Sequence, residues 1–151
     1  MRHKDQGGSH MCTSITFKNG DFYFGRNMDL EYSFGECVTV TPRRFPFRFR
    51  YEGALASHYA MIGMAAGEAS FPLYAEAVNE KGLCMAGLNF PGNASYGKAA
   101  EGKANAAVYE LIPWLLGTCA SVGEAEEKLG TLNLTDDAFS ETMPPAPLHW
   151  M

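Results

Sequence analysis

Cys12 directly follows Met11 and opens the alternating run CTSITF. A thiol becomes a strong nucleophile once a nearby base takes its proton. Methionine is usually trimmed in front of a small residue, so a chain begun at Met11 would present Cys12 with a free α-amine. That amine has a pKa of about 7.7–8.0, against about 10.4 for lysine, and can serve as the base near neutral pH. Nucleophile and base would then share one residue, with no histidine required. Of the four histidines, His3 and His10 lie in or beside the polar stretch ahead of Met11. Position alone also allows a buried structural cysteine beside a start codon.

The stretch FGRNMDLEYS supplies two further chemical groups, Arg26 and Asp29. A carboxylate close to an α-amine would orient it, and a guanidinium close to sulfur would stabilise the thiolate. Asn19-Gly20 between two alternating runs is a hairpin signal. A two-residue turn there pairs positions whose numbers sum to 39, which sets Cys12 opposite Asn27. Alternation then places Asp29 on the cysteine face and Arg26 on the other, unless a bulge at Gly25 shifts it. An Arg and an Asp three apart also fit a surface ion pair.

The elements that would carry these groups are mostly strands. CTSITF and FYFG form the hairpin, ECVTVTP reads as a strand ending at Pro42, and HYAMIGMAA as a fourth. LYAEAV and LCMAGLNF flank NEKG as a second hairpin, in which Asn79 suits a turn former better than a catalyst. NAAVYELIPWLLG has apolar residues at helical spacing, with a kink expected at Pro113. SVGEAEEKLG carries the capping-box pair Ser121 and Glu124 and stops at Gly130. PLHWM begins an apolar run after a Pro-rich loop, so a C-terminal truncation is expected.

At 151 residues the chain fits one domain. Its 46% hydrophobic and 19% charged content is that of a globular protein. A net charge of −5 argues against nucleic acid or an anionic membrane as partner, although PRRFPFRFR could hold an anion locally. No segment approaches the roughly 20 apolar residues that span a bilayer. MRHKDQGGSH lacks the apolar core of a secretory signal and, with GSHM, resembles a vector scar or a misassigned start. Residues 1–10 are therefore set outside the fold, a cytoplasmic location is inferred, and 11–151 is read as one portion of a domain. Cys12, Cys37, Cys84 and Cys119 are too scattered for a disulfide or metal set. Cys37, Cys84 and Cys119 are expected as small buried hydrophobes. No cofactor is called for.

Taken together, MCTSITF, FGRNMDLEYSF, YAEAVNEKGLCMAGLNFP and PLHWM resemble the choloylglycine hydrolase family of N-terminal-nucleophile amidases. Bile salt hydrolases and penicillin V acylases are its best-known members. The resemblance runs from Met11 to Met151. It implies an α+β fold, the α/β/β/α four-layer sandwich, of which this chain would supply the N-terminal part. It further implies Cys12 as nucleophile with its own amine as base, Arg26 and Asp29 beside it, and Asn89 of AGLNFP at the oxyanion hole. Apart from the resemblance, Asn89 also suits an amide closing a turn before Pro91. Asparagine there is similar to bile salt hydrolases, whereas penicillin acylases of the family tend to carry tyrosine. The implied reaction is deconjugation of glycine- or taurine-linked bile salts, with EYSFGE and MAAGEASFP as pocket walls and possible homo-oligomers at full length. Penicillin V or N-acyl homoserine lactone acylase activity is the enzymatic alternative. An inactive fragment that binds ligand or associates with itself is the other. The family pattern also holds a second asparagine and an arginine in its later half, without counterparts here.

Overall fold

The computed structural model describes residues 12–30, 33–66 and 70–151. The leader assigned to residues 1–10, together with Met11, lies outside the described residues. β1 (Thr13–Asn19) and β2 (Asp21–Asn27) form the expected hairpin, but the register differs from expectation. Asn19 pairs with Asp21 around Gly20 alone, so Thr13 faces Asn27 and Ser14 faces Arg26. Gly20 sits at φ 73°, the left-handed region glycine enters without steric cost. Sliding the pairing by one residue exchanges the two faces. Arg26 therefore shares the face of Ser14 and Cys12 with no bulge, since Gly25 pairs regularly with Ile15. Burial follows the same alternation: Cys12, Ser14, Phe24, Arg26 and Met28 are partly buried, whereas Thr13, Ile15, Tyr23 and Asn27 are exposed.

The chain continues through β3 (Cys37–Thr41), β4 (Phe47–Phe49), β5 (Gly53–Leu55), β6 (Met61–Ala66), β7 (Leu73–Asn79) and β8 (Cys84–Asn89). β9 (Ala104–Ala107), β10 (Leu132–Thr135) and β11 (Leu148–Trp150) complete the strands. Five of them form an antiparallel sheet in the order β11-β8-β7-β6-β3. The stretch PRRFPFRFR, which could hold an anion locally, also contributes to the core. Phe47 and Phe49 of β4 are buried against Phe71, with Arg48 pointing outward between them. Arg43 is spent on the Glu80 carboxylate and Arg50 donates to Ala138 O.

Residues 105–117 were expected as one helix, yet Ala104–Ala107 is a strand. Its backbone pairs in parallel with β10, and small alanines fit a sheet as readily as a helix. A 3₁₀ turn (Val108–Glu110) then leads into α1 (Leu111–Thr118), with residues 111–117 all buried. Pro113 is the third residue of α1, where the N–H it lacks has no helical partner anyway, so no kink is needed. Glu110, 1% exposed, accepts from Arg50 N at 2.6 Å and Ala107 N at 2.9 Å, and its burial pushes its pKa up. α2 (Val122–Leu129) is capped by Ser121, which accepts from Glu124 N at 3.3 Å. The Glu124 carboxylate reaches one residue further back than a capping box requires, to Ala120 N. Cys119 is buried as expected and Cys84 is partly buried. Cys37 is exposed, because β3 is the edge of the sheet.

Asn79 fixes the layer order. Its Nδ2 donates to Leu116 O at 2.8 Å and Cys119 O at 2.7 Å, at the end of α1. Its Oδ1 accepts from Lys81 N and Leu83 N, each at 3.0 Å, across the NEKG turn. Asn79 and Ala77 thus face α1, and alternation turns Glu76 to the opposite face, where Arg26 of the β1–β2 hairpin meets it. Helix, sheet and hairpin strands are the partial form of the four-layer sandwich.

Asn79→Ala is expected to lower stability by about 2–4 kcal/mol, because it leaves buried carbonyls and amides without partners. Asn79→Asp should be comparably damaging, since a carboxylate cannot donate to Leu116 O or Cys119 O. Urea denaturation checks both. A loss under about 0.5 kcal/mol for the alanine variant would show that the clamp contributes little.

Candidate active site

Cys12, Arg26, Asp29 and Asn89 all line one cleft of about 640 Å³. Cys12 immediately precedes β1 and Arg26 sits inside β2. Asp29 lies two residues beyond the end of β2, so it enters the cleft from the departing chain and not from the strand face the two-residue turn implied. Asn89 is the last residue of β8, opposite Leu148 of β11. The floor includes a β-bulge: Met64 pairs with Glu76 and Ala65 with Tyr74, which leaves Ala75 unpaired. Bulges re-aim side chains beside active sites, and here Leu73, Tyr74 and Ala75 all line the cleft.

Of these four residues, Arg26 is the most constrained. Its side chain is 6% exposed, and Nη2 donates to Gly87 O at 2.6 Å. Nη1 lies 3.1 Å from Glu76 Oε2 but is not aligned as a hydrogen bond. Arg26 Nε, Arg26 Nη1 and Glu76 Oε2 are therefore buried without a hydrogen-bond partner among the described residues. Burial raises the Glu76 pKa, while the Arg26 charge and the Met64 backbone amide pull it back down. Sequence reasoning missed Glu76. The signal was a lone carboxylate inside the apolar strand LYAEAV, since a charge taken out of water needs a partner.

The Asn89 side chain is exposed at the cleft, and no hydrogen bond engages its carboxamide among the described residues. The turn that follows is closed by a different amide, Asn93 Nδ2, which donates to Pro91 O at 3.3 Å. One rim is built by Glu36, whose carboxylate accepts from Ser33 Oγ at 2.6 Å and Phe34 N at 2.8 Å. These bonds hold its pKa below the ordinary value and place Phe34 at the cleft. Ala66 represents the second expected wall; residues 67–69 of that wall, like Glu31 and Tyr32 of the first, lie outside the described residues. Met28, Leu30, Leu73, Pro91 and Leu148 make the remaining surface largely apolar.

Removing one partner of a buried ion pair strands the other. Arg26→Met is expected to cost about 2–4 kcal/mol at pH 7.5, discounted because Glu76 is partly exposed. Without Arg26 the Glu76 carboxyl would titrate even higher in the folded state. The deficit is then full above that raised value and shrinks as pH falls and Glu76 takes up a proton. Urea unfolding at pH 7.5 and pH 5 measures the difference, and equal losses at both would refute the pairing.

Residues 12–151 match the model of the linear amide C–N hydrolases, choloylglycine hydrolase family. A bile salt hydrolase/transferase of Lactiplantibacillus plantarum is 52% identical over 141 residues, which cover 93% of this chain and 44% of that protein. A conjugated bile acid hydrolase of Lactobacillus gasseri is 37% identical, covering 93% and 46%. Among solved structures, a variant of the conjugated bile acid hydrolase from Clostridium perfringens superposes with a TM-score of 0.85 at 39% identity, over 93% of this chain and 44% of that one. Penicillin V acylase from Agrobacterium tumefaciens shares the fold, with a TM-score of 0.68 at 18% identity over 93% and 42%. The chain spans less than half the length of these relatives. It belongs to the choloylglycine hydrolase family of linear amide C–N hydrolases.

Proposed function

We propose that this chain carries the nucleophile half of an amidase that deconjugates glycine- or taurine-linked bile salts. The observation that carries the proposal is the convergence of Cys12, Arg26, Asp29 and Asn89 on one apolar-walled cleft. In this reading the Cys12 thiol gives its proton to its own α-amine and the sulfur attacks the amide carbon. Asn89 offers an N–H to the developing oxyanion, a contribution worth several kcal/mol in a dry site. The amine carries the proton to the leaving nitrogen, glycine or taurine departs, and a thioester remains. Water, deprotonated by the same amine, then releases the bile acid. Asp29 orients the amine and Arg26 favours the thiolate. Met28, Leu30, Leu73 and Leu148 offer the apolar surface a steroid body needs.

The α-amine must be free for this chemistry. With residues 1–11 attached, the Cys12 nitrogen is an amide whose lone pair is delocalised, and it cannot accept a proton. An active molecule therefore begins at Cys12.

The test joins residues 11–151 to the remaining length of the Lactiplantibacillus plantarum relative and measures glycine released from glycocholate. Activity is expected when translation starts at Met11, with a preference for glycocholate over penicillin V in kcat/KM. Cys12→Ala should lower turnover by at least about 1,000-fold. Full turnover from molecules whose mass still includes residues 1–11 would remove the α-amine from the mechanism. A preference for penicillin V would assign the site to an acylase.

A further inference from the structure

The Glu76 carboxylate lies behind the site, on the sheet face that meets the hairpin, and its ion-pair partner among the described residues is Arg26. A guanidinium is planar and offers five N–H donors in a fixed fork. Gly87 O takes one edge of that fork and Glu76 lies against another, which together fix the plane. Arg26 Nε remains buried and, among the described residues, without a hydrogen-bond partner, in a side chain that lines the same cleft as Cys12. The hairpin register sets the separation. Arg26 stands opposite Ser14, and Cys12 is two residues along the same face. Such diagonal neighbours have Cα atoms about 7–8 Å apart, within reach of a long side chain. One guanidinium charge thus contacts Glu76 and lines the same cleft as Cys12, whose sulfur can also be anionic.

We propose that Glu76 is a positioning residue for the Cys12 thiol: through Arg26 it fixes the guanidinium and offsets its charge, and so sets how strongly the thiolate is favoured. The proposal rests on the reading that Cys12 is the reacting thiol. Desolvation makes the pairing consequential, because a charge in this setting is screened far less than one on the surface. Among the described residues, the other titratable groups lining the cleft are Asp29, Glu36 and Tyr74. Of these the Glu36 carboxylate is held by Ser33 and the Phe34 amide, and the Tyr74 hydroxyl bonds Thr41 Oγ1 at 2.7 Å. Glu76 contacts the guanidinium itself.

The experiment uses the 151-residue chain with its leader, so that the Cys12 nitrogen is an amide and only the thiol titrates. The pH profile of Cys12 alkylation by iodoacetamide is followed by peptide mass spectrometry, which separates it from exposed Cys37 and half-buried Cys84. Buried Cys119 reports on the fold by staying unmodified. Glu76→Gln removes the offsetting charge, so the inflection should move down by about one pH unit. The double variant Arg26→Met/Glu76→Gln removes both charges and should bring the inflection above that of the unaltered chain. Should Cys119 become reactive in Glu76→Gln, Glu76→Asp is the substitute. It withdraws the carboxylate by one methylene and should move the inflection the same way. An unchanged or raised inflection in a folded Glu76 variant would reduce Glu76 to a structural counterion and overturn the proposal. A lowered inflection in a chain whose completed form leaves glycocholate intact would support it while the amidase reading failed.

Discussion

The Arg26 guanidinium joins the β1–β2 hairpin to the central sheet, and the cleft exists where they meet. One N–H group holds Gly87 O of β8 and another lies against Glu76 of β7, so a single side chain bridges two strands of the sheet from a third layer. That bridge depends on the hairpin turning in one residue at Gly20. A two-residue turn would have sent Arg26 to the other face of the hairpin and left Glu76 buried without its cation. Placement of the cleft residues therefore traces back to a backbone angle at one glycine, far from the cleft itself.

The types and order of the elements were largely legible in the sequence. Period-two alternation and Asn-Gly or Lys-Gly turns located both hairpins, and the Pro-rich loop before PLHWM located β11. Register was not legible, because Asn19-Gly20 signals a turn without saying which flanking residues close it. β4 escaped because its arginines read as a basic cluster, although FRF carries the same alternation as the strands that were found. The Ala104–Ala107 strand escaped for a different reason. Its partner β10 lies 28 residues further along, and only that pairing distinguishes a strand from the start of a helix.

The four candidate residues came from chemistry and from resemblance, and the structure brings all four to one cleft. Glu76 came from neither. A residue that acts on another side chain and not on substrate leaves no nucleophile or base pattern behind. Its trace is thermodynamic: an acid in an apolar strand must find a cation or give up its charge. Asn79 shows the same logic applied to neutral groups. All four of its hydrogen bonds are met in a buried position, which explains its place in NEKG without any role in catalysis.

Stability and chemistry pull in opposite directions at Arg26. Buried polar atoms are normally paired, and each one left open costs roughly 1–3 kcal/mol. Among the described residues, Arg26 Nε and Nη1 and Glu76 Oε2 are three open atoms within one interaction. A sequence selected for stability alone would align the pair fully or replace it with apolar side chains of similar size. On the proposed mechanism the open N–H groups have a use, because an anion forms on the Cys12 sulfur and needs donors already in place. Donors satisfied beforehand by Glu76 would have to be released at that moment, with a reorganisation cost inside the barrier. A misaligned counterion keeps the guanidinium charged, oriented and incompletely bonded. That is the condition in which it can respond most strongly to a thiolate forming two residues along the neighbouring strand.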